Sequence, residues 1–143
     1  MNASPSPSPP PPISPPPNPL ELTFDADATQ LAPVRLALRE WLGRTRFAAD
    51  QSADVLLAVG EACANAIEHG HRFRAGTIRL RAWLTDDYLR VTVHDSGRWK
   101  PDDSPPNPLR GRGIPLMRAL MDSIAVTPDE SGTIVELGTA LRL

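Results

Sequence analysis

The 143-residue chain has one cysteine, few aromatic residues (5%) and little excess of either charge. It also lacks any apolar run approaching the roughly 20 residues that cross a bilayer, so no membrane-spanning helix is expected. Cys63 cannot close an internal disulfide and has no partner thiolate for a structural zinc site. A formal net charge of −2 argues against a protein that grips nucleic acid through charge, so neither nucleic acid nor membrane is an expected partner. No basic segment followed by an apolar block opens the chain, so no secretory signal is read and the expected location is the cytoplasm. The phosphate loop ending in Gly-Lys-Ser/Thr is missing, as is the full glycine fingerprint of a dinucleotide-binding βαβ unit.

Proline, by contrast, is abundant at one end. Ten of the 17 prolines fall in "PSPSPPPPISPPPNP", residues 5 to 19. Such a stretch cannot donate backbone hydrogen bonds regularly, so residues 1–19 are expected to be an extended or disordered arm. One folded domain, residues 20–143, then accounts for the rest, a length sufficient for a single core.

Within that domain, "LELTFDAD" alternates Leu20, Leu22 and Phe24 with polar residues and predicts a strand. Leu31, Val34, Leu38 and Leu42 recur at helical spacing over Thr29 to Leu42, with Pro33 in the first turn and Gly43 as the stop. A second helix is predicted from about Ser52 to His69, its apolar stripe being Val55, Leu56, Val59, Ala62, Cys63, Ala66 and Ile67. Two strands follow, one with Ile78, Leu80, Ala82 and Leu84 on a face, the other with Leu89, Val91 and Val93. Asp86-Asp87 forms the turn between them. Residues 98–112 read as a long loop, and a short helix near Ile114 presents Leu116, Met117, Leu120 and Met121. Strands over Ser123–Thr127 and Thr133–Leu141, joined by "PDESG", complete the chain. The expected fold class is an α/β (α+β) two-layer sandwich: a mixed, mostly antiparallel sheet of about five strands, covered on one face by about three helices.

Four stretches do not fit a purely structural account. In "GEACANAIEHG", Glu61, Asn65 and His69 recur every fourth residue along one edge of the apolar stripe. Amide and carboxylate oxygens suit a hard cation such as Mg²⁺, which takes its other oxygens from water and substrate phosphates. A glutamate one turn away is suited to accept a proton from an attacking hydroxyl. Taken alone, a solvated polar edge is the commoner origin of such a pattern. In "VTVHDSGRW", Asp95 shares the parity of Leu89, Val91 and Val93, so its carboxylate points under the helices and needs a donor there. An exocyclic amine such as the adenine 6-amino group supplies one, and Gly97 lets a flat ring approach the backbone.

In "LRGRGIPLMRALMD", Gly111 and Gly113 directly precede a helix, where backbone amides favour phosphate; Arg110 and Arg112 add positive charge. In "GTIVEL", Thr133 shares parity with Val135 and Leu137 and so faces the same interior as Asp95. A glycine before a helix and a threonine in a strand are each common by themselves.

In order and spacing the four resemble the motifs of the GHKL, or Bergerat-fold, ATP-binding superfamily. "EACANAIEH" resembles its N box, "DSGRW" and "GRGIPLM" its two glycine boxes, and "GTIVEL" its closing strand. Within it, "GEACANAIEHG" and "GRGIPLMRALMD" look most like the bacterial anti-sigma-factor serine kinases, over about residues 20–143. The resemblance implies ATP and Mg²⁺ as cofactors. It makes Asn65 the Mg²⁺ ligand, Glu61 the general base, and Asp95, Gly97 and Thr133 the adenine site. Gly111 and Gly113 line the phosphates, and either Arg110 or Arg112 meets the terminal phosphate. Trp99 departs from the pattern, standing where many members carry a second glycine.

A kinase of this kind phosphorylates a serine on a STAS-type antagonist protein, binds a sigma factor and forms a homodimer. The alternatives are an ATP-binding switch without kinase activity and the ATPase module of a histidine kinase.

Overall fold

The computed structural model describes residues 17–70, 76–96, 114–129 and 132–142, without the side chains of His69 and Asp129. Strand β1 spans Leu20–Asp25, and helices α1 and α2 span Leu31–Leu42 and Ala49–Asn65. Strands β2 and β3 cover Thr77–Thr85 and Tyr88–Asp95. Helix α3 covers Ile114–Leu120, and β4 and β5 cover Ser123–Asp129 and Gly132–Ala140. The strands form one sheet in the order β1-β2-β3-β5-β4, and every adjacent pair is antiparallel.

Strict alternation in the strands decides the layering. Ile78, Leu80 and Ala82 of β2, Leu89, Val91 and Val93 of β3 and Val135 and Leu137 of β5 point to one face and are buried. The same face receives Val34, Leu38, Trp41 and Leu42 of α1, Val55, Ala58, Val59, Ala62 and Cys63 of α2, and Met117. The sheet is thus covered on one side by three helices, the expected two-layer sandwich. A buried side chain of this size contributes about 1.5–3 kcal/mol, so this face supplies most of the stability. The opposite face carries Arg81 paired with Glu21 and Arg90 with Glu136 at 3.4 and 3.1 Å, exposed pairs of small energetic weight.

Asp86 and Asp87 have φ of 51° and 62°, the two left-handed residues of a tight hairpin turn. The chain entering β1 is tied to α1, whose Trp41 indole Nε1–H donates to the Asn18 carbonyl at 2.7 Å.

Local structure departs from expectation at several points. A 3₁₀ turn, Ala28–Gln30, precedes α1, because the Asp27 carboxylate accepts from the Thr29 amide at 3.0 Å. Helix α2 starts three residues before Ser52 and ends as a regular helix at Asn65, its last turn widening into a π-helix over Ala66–Gly70. Leu116 is exposed, so Met117 and Met121 anchor the α3 region in the core, with the partly buried Ile114 and Leu120 packed beside them. Strands β4 and β5 each extend into the "PDESG" segment, to Asp129 and from Gly132. The predicted loop over residues 98–112 lies outside the described residues.

Candidate functional site

Strand register brings two of the expected residues together. Asp95 is the last residue of β3 and is the cross-strand partner of Thr133, the second residue of β5. Asp95 also pairs with Ile78 on β2, and Thr133 with Pro128 on β4, so the two polar groups form the end rung of the sheet's helix-covered face. Both are nearly inaccessible, at 4% and 5% exposure. The Thr133 hydroxyl is buried and has no hydrogen-bond partner among the described residues. An unpaired buried hydroxyl costs about 1–3 kcal/mol, so this position disfavours the fold unless something else occupies the site.

A glycine shapes the same corner. Gly132 has φ of 144°, and a Cβ there would run into the carbonyl of Asp95. The backbones of β3 and β5 therefore approach at the rung itself, and only glycine permits it. Beyond Asp95, the Ser96 hydroxyl donates to the Thr77 carbonyl at 3.1 Å and holds the end of β3 against β2.

The third expected residue, Asn65, ends α2 and is 8% exposed. Immediately after it, the π-turn Ala66–Gly70 packs on β3 and β5, which carry Asp95 and Thr133. Glu61 lies one turn earlier and is half-buried. π-turns recur at functional sites because the extra residue per turn re-aims the side chains around it. Cys63, on the buried stripe between Glu61 and Asn65, is core filling as expected; desolvation pushes its thiol up to about 12.

Gly97, Arg110, Gly111, Arg112 and Gly113 lie outside the described residues, as does Trp99. Among the described residues no group of three or more metal-ligating His, Cys, Asp or Glu side chains exists. Two residues of the architecture escaped the sequence reading. Gly132 carried a signal, a glycine opening a strand beside a turn. Gln51 carried another, a polar residue four before Val55 on the apolar stripe.

A helix ending over a buried Asp–Thr rung matches a known domain. The family described as "Histidine kinase-like ATPase domain" matches residues 24–139. The chain belongs to this family. A histidine kinase-like ATPase domain with this sequence has relatives among bacterial serine kinases. It is 32% identical to the serine-protein kinase RsbW of Bacillus cereus (strain AH187), over 81% of each chain. It is 29% identical to the RsbW of Bacillus mycoides (strain KBAB4), again over 81% of each.

Among solved structures, it superposes on the RsbU and RsbW domains of a Mycobacterium tuberculosis protein with a TM-score of 0.71 and 30% identity. That match covers 86% of this chain and 32% of the other. A blue-light activated histidine kinase of Erythrobacter litoralis matches with a TM-score of 0.59 and 26% identity, covering 78% of this chain and 44% of that one. The domain thus has the Bergerat fold and resembles the RsbW-type anti-sigma-factor kinases.

Proposed function

We propose that this protein is an ATP-dependent serine kinase and anti-sigma factor. It phosphorylates a STAS-type antagonist and sequesters an alternative sigma factor, acting in the cytoplasm as a homodimer. The observation that carries the reading is the Thr133 hydroxyl, buried beside Asp95 and without a partner among the described residues. Adenine answers both groups, offering its 6-amino donor to the carboxylate and a ring nitrogen to the hydroxyl. RsbW-type relatives support the kinase role in sigma-factor regulation.

In this reading Asp95, Thr133 and Gly97 hold the base. Gly111 and Gly113 line the phosphates, with Arg110 or Arg112 at the terminal one. Asn65 would hold Mg²⁺ through its amide oxygen, and the ion would offset the charge of the triphosphate. Glu61 accepts the proton of the attacking serine as its oxygen bonds to the terminal phosphorus and the bond to ADP breaks. Positioning and charge stabilisation dominate phosphoryl transfer, so without the acceptor protein the site should hydrolyse ATP slowly.

The test is incubation of the purified protein with terminally labelled ATP and a STAS-domain protein. Acid-stable label on a serine of the partner is expected. Acid-labile label on this chain would indicate a histidine-kinase module, and binding without transfer would indicate a nucleotide switch.

A further inference from the structure

The candidate site draws its groups from two elements that meet nowhere in sequence: Glu61 and Asn65 from the end of α2, Asp95 and Thr133 from the sheet. Their separation depends on where α2 lies along the sheet. A helix on a sheet is held mainly by apolar contacts, which are non-directional and tolerate sliding. One polar residue removes that freedom. Gln51, in the first turn of α2, is 5% exposed, and its amide Nε2–H donates to the Ala140 carbonyl at 2.7 Å. Its Oε1 accepts from the Arg142 amide at 3.0 Å, so the side chain is held by the backbone at two points. The same corner is braced by Asp122, which accepts from the Thr139 hydroxyl at 3.2 Å and the Ala140 amide at 2.7 Å.

The two elements have matching lengths between their marked residues. From Gln51 to Asn65 the helix rises about 21 Å, at roughly 1.5 Å per residue. From Ala140 back to Thr133 the strand spans about 23 Å, at roughly 3.3 Å per residue. Fastening Gln51 at Ala140 therefore brings Asn65 to the Thr133 end, where the π-turn after it packs on β3 and β5.

We propose that Gln51 is a positioning residue that sets the axial register of α2 on the sheet, and with it the distance from the Asn65–Glu61 pair to the Asp95–Thr133 base site. This rests on the function proposed above. Asp95 and Thr133 are placed by strand pairing, so a shift of α2 disturbs adenosine binding less than it disturbs the metal site. It displaces the groups that meet the metal and the reacting hydroxyl.

The test compares the full chain with Gln51→Met, which keeps length and packing but has no hydrogen bonds to give, and with Thr139→Val as a control. Thr139→Val removes a donor to Asp122 and the long 3.5 Å contact that its hydroxyl accepts from the Gln51 amide, and leaves both Gln51 bonds to the backbone. Adenosine affinity, the gain in ATP affinity on adding Mg²⁺, and the transfer rate are measured on each. Gln51→Met should keep adenosine affinity within about two-fold while the Mg²⁺-dependent gain collapses and transfer falls by up to about 10²-fold, the scale of an ångström misplacement. Thr139→Val should lower the melting temperature without changing the Mg²⁺-dependent gain.

Should Gln51→Met fail to fold, Gln51→Glu, which retains the acceptor for the Arg142 amide, should show the same split more weakly. Parallel loss of adenosine and Mg²⁺-dependent binding, an equal effect of Thr139→Val, or no effect at all would overturn the proposal. A wild-type chain that binds adenosine and ATP with no Mg²⁺-dependent gain would instead overturn the functional reading beneath it.

Discussion

Asp95 and Thr133 stand directly opposite one another on β3 and β5, both buried, and the threonine hydroxyl has no partner among the described residues. A buried hydroxyl without a described partner, at the end of a largely apolar face, is a cost to the fold and an asset to a ligand. The first three predictions below exploit that opposition.

Removing the unpaired hydroxyl should separate stability from binding. Thr133→Val keeps the shape and deletes a buried group that no described residue satisfies. The melting temperature should hold or rise, while ATP affinity falls by about 1 kcal/mol, the net worth of one hydrogen bond. Thermal melts and nucleotide titrations of the same preparation check both halves. A clear loss of stability would mean that the hydroxyl has a partner within the protein.

Asp95 should decide between nucleobases. Its carboxylate suits an exocyclic amine, where guanine presents a carbonyl, so ATP should bind well and GTP poorly. Asp95→Asn should cost adenine binding about 1.5–3 kcal/mol, the range for hydrogen bonds to charged groups. Equal affinities for ATP and GTP in a calorimetric titration would sink this assignment.

Gly132 should be intolerant of any side chain. Its φ of 144° and the Asp95 carbonyl in the path of a Cβ make Gly132→Ala doubly unfavourable. Backbone strain of this kind costs on the order of 1–3 kcal/mol, and relief by separating β3 from β5 would distort the base site as well. Chemical denaturation should show the loss, with a parallel fall in ATP affinity. A variant as stable as the parent would show that the strand ends are not so tightly joined.

Glu61 and Asn65, one turn apart, should fail differently. Glu61→Ala is expected to leave ATP affinity within a few-fold and slow phosphoryl transfer by about 10²-fold or more, the scale of general-base catalysis. Asn65→Ala should weaken Mg²⁺-dependent nucleotide binding itself. Normal transfer by Glu61→Ala would remove the general base from the mechanism.

Cys63 gives the fold an alkaline limit. Its folded-state value is pushed up to about 12 by burial, whereas an unfolded chain ionises near 8.5. Below the unfolded value both states keep the proton, and the thiol adds no pH dependence. Above it the unfolded state loses its proton first, so stability declines through the window up to about 12, by on the order of 5 kcal/mol. Denaturation of wild type and Cys63→Ala between pH 8 and 11 isolates this contribution, since every other group is common to both. Identical slopes would contradict it.

Much of this architecture was legible in the residues. Alternation in "TIRLRAWLT" and "YLRVTVHD" specified both strands and their buried face, because the side-chain period of two leaves no other choice once one face must be dry. The same parity put Asp95 and Thr133 on the interior before any partner strand was assigned. What parity could not supply was their pairing: β5 lies between β3 and β4, and that strand order comes from packing across the whole sheet.

The last turn of α2 shows the same limit at short range. Spacing read a regular helix through His69, and contact of Ala66–Gly70 with β3 and β5 accompanies a widened turn instead. Gln51 lay just ahead of the helix predicted from Ser52 and escaped the sequence reading; only the fold brings the Ala140 carbonyl and Arg142 amide, some 90 positions away, into reach of its amide. Local sequence thus determined the elements, their faces and the kinds of group they carry. The strand order, the height of α2 on the sheet and the rung shared by Asp95 and Thr133 were decided by tertiary structure, because a hydrogen bond or a close backbone approach between distant segments exists only after they have packed.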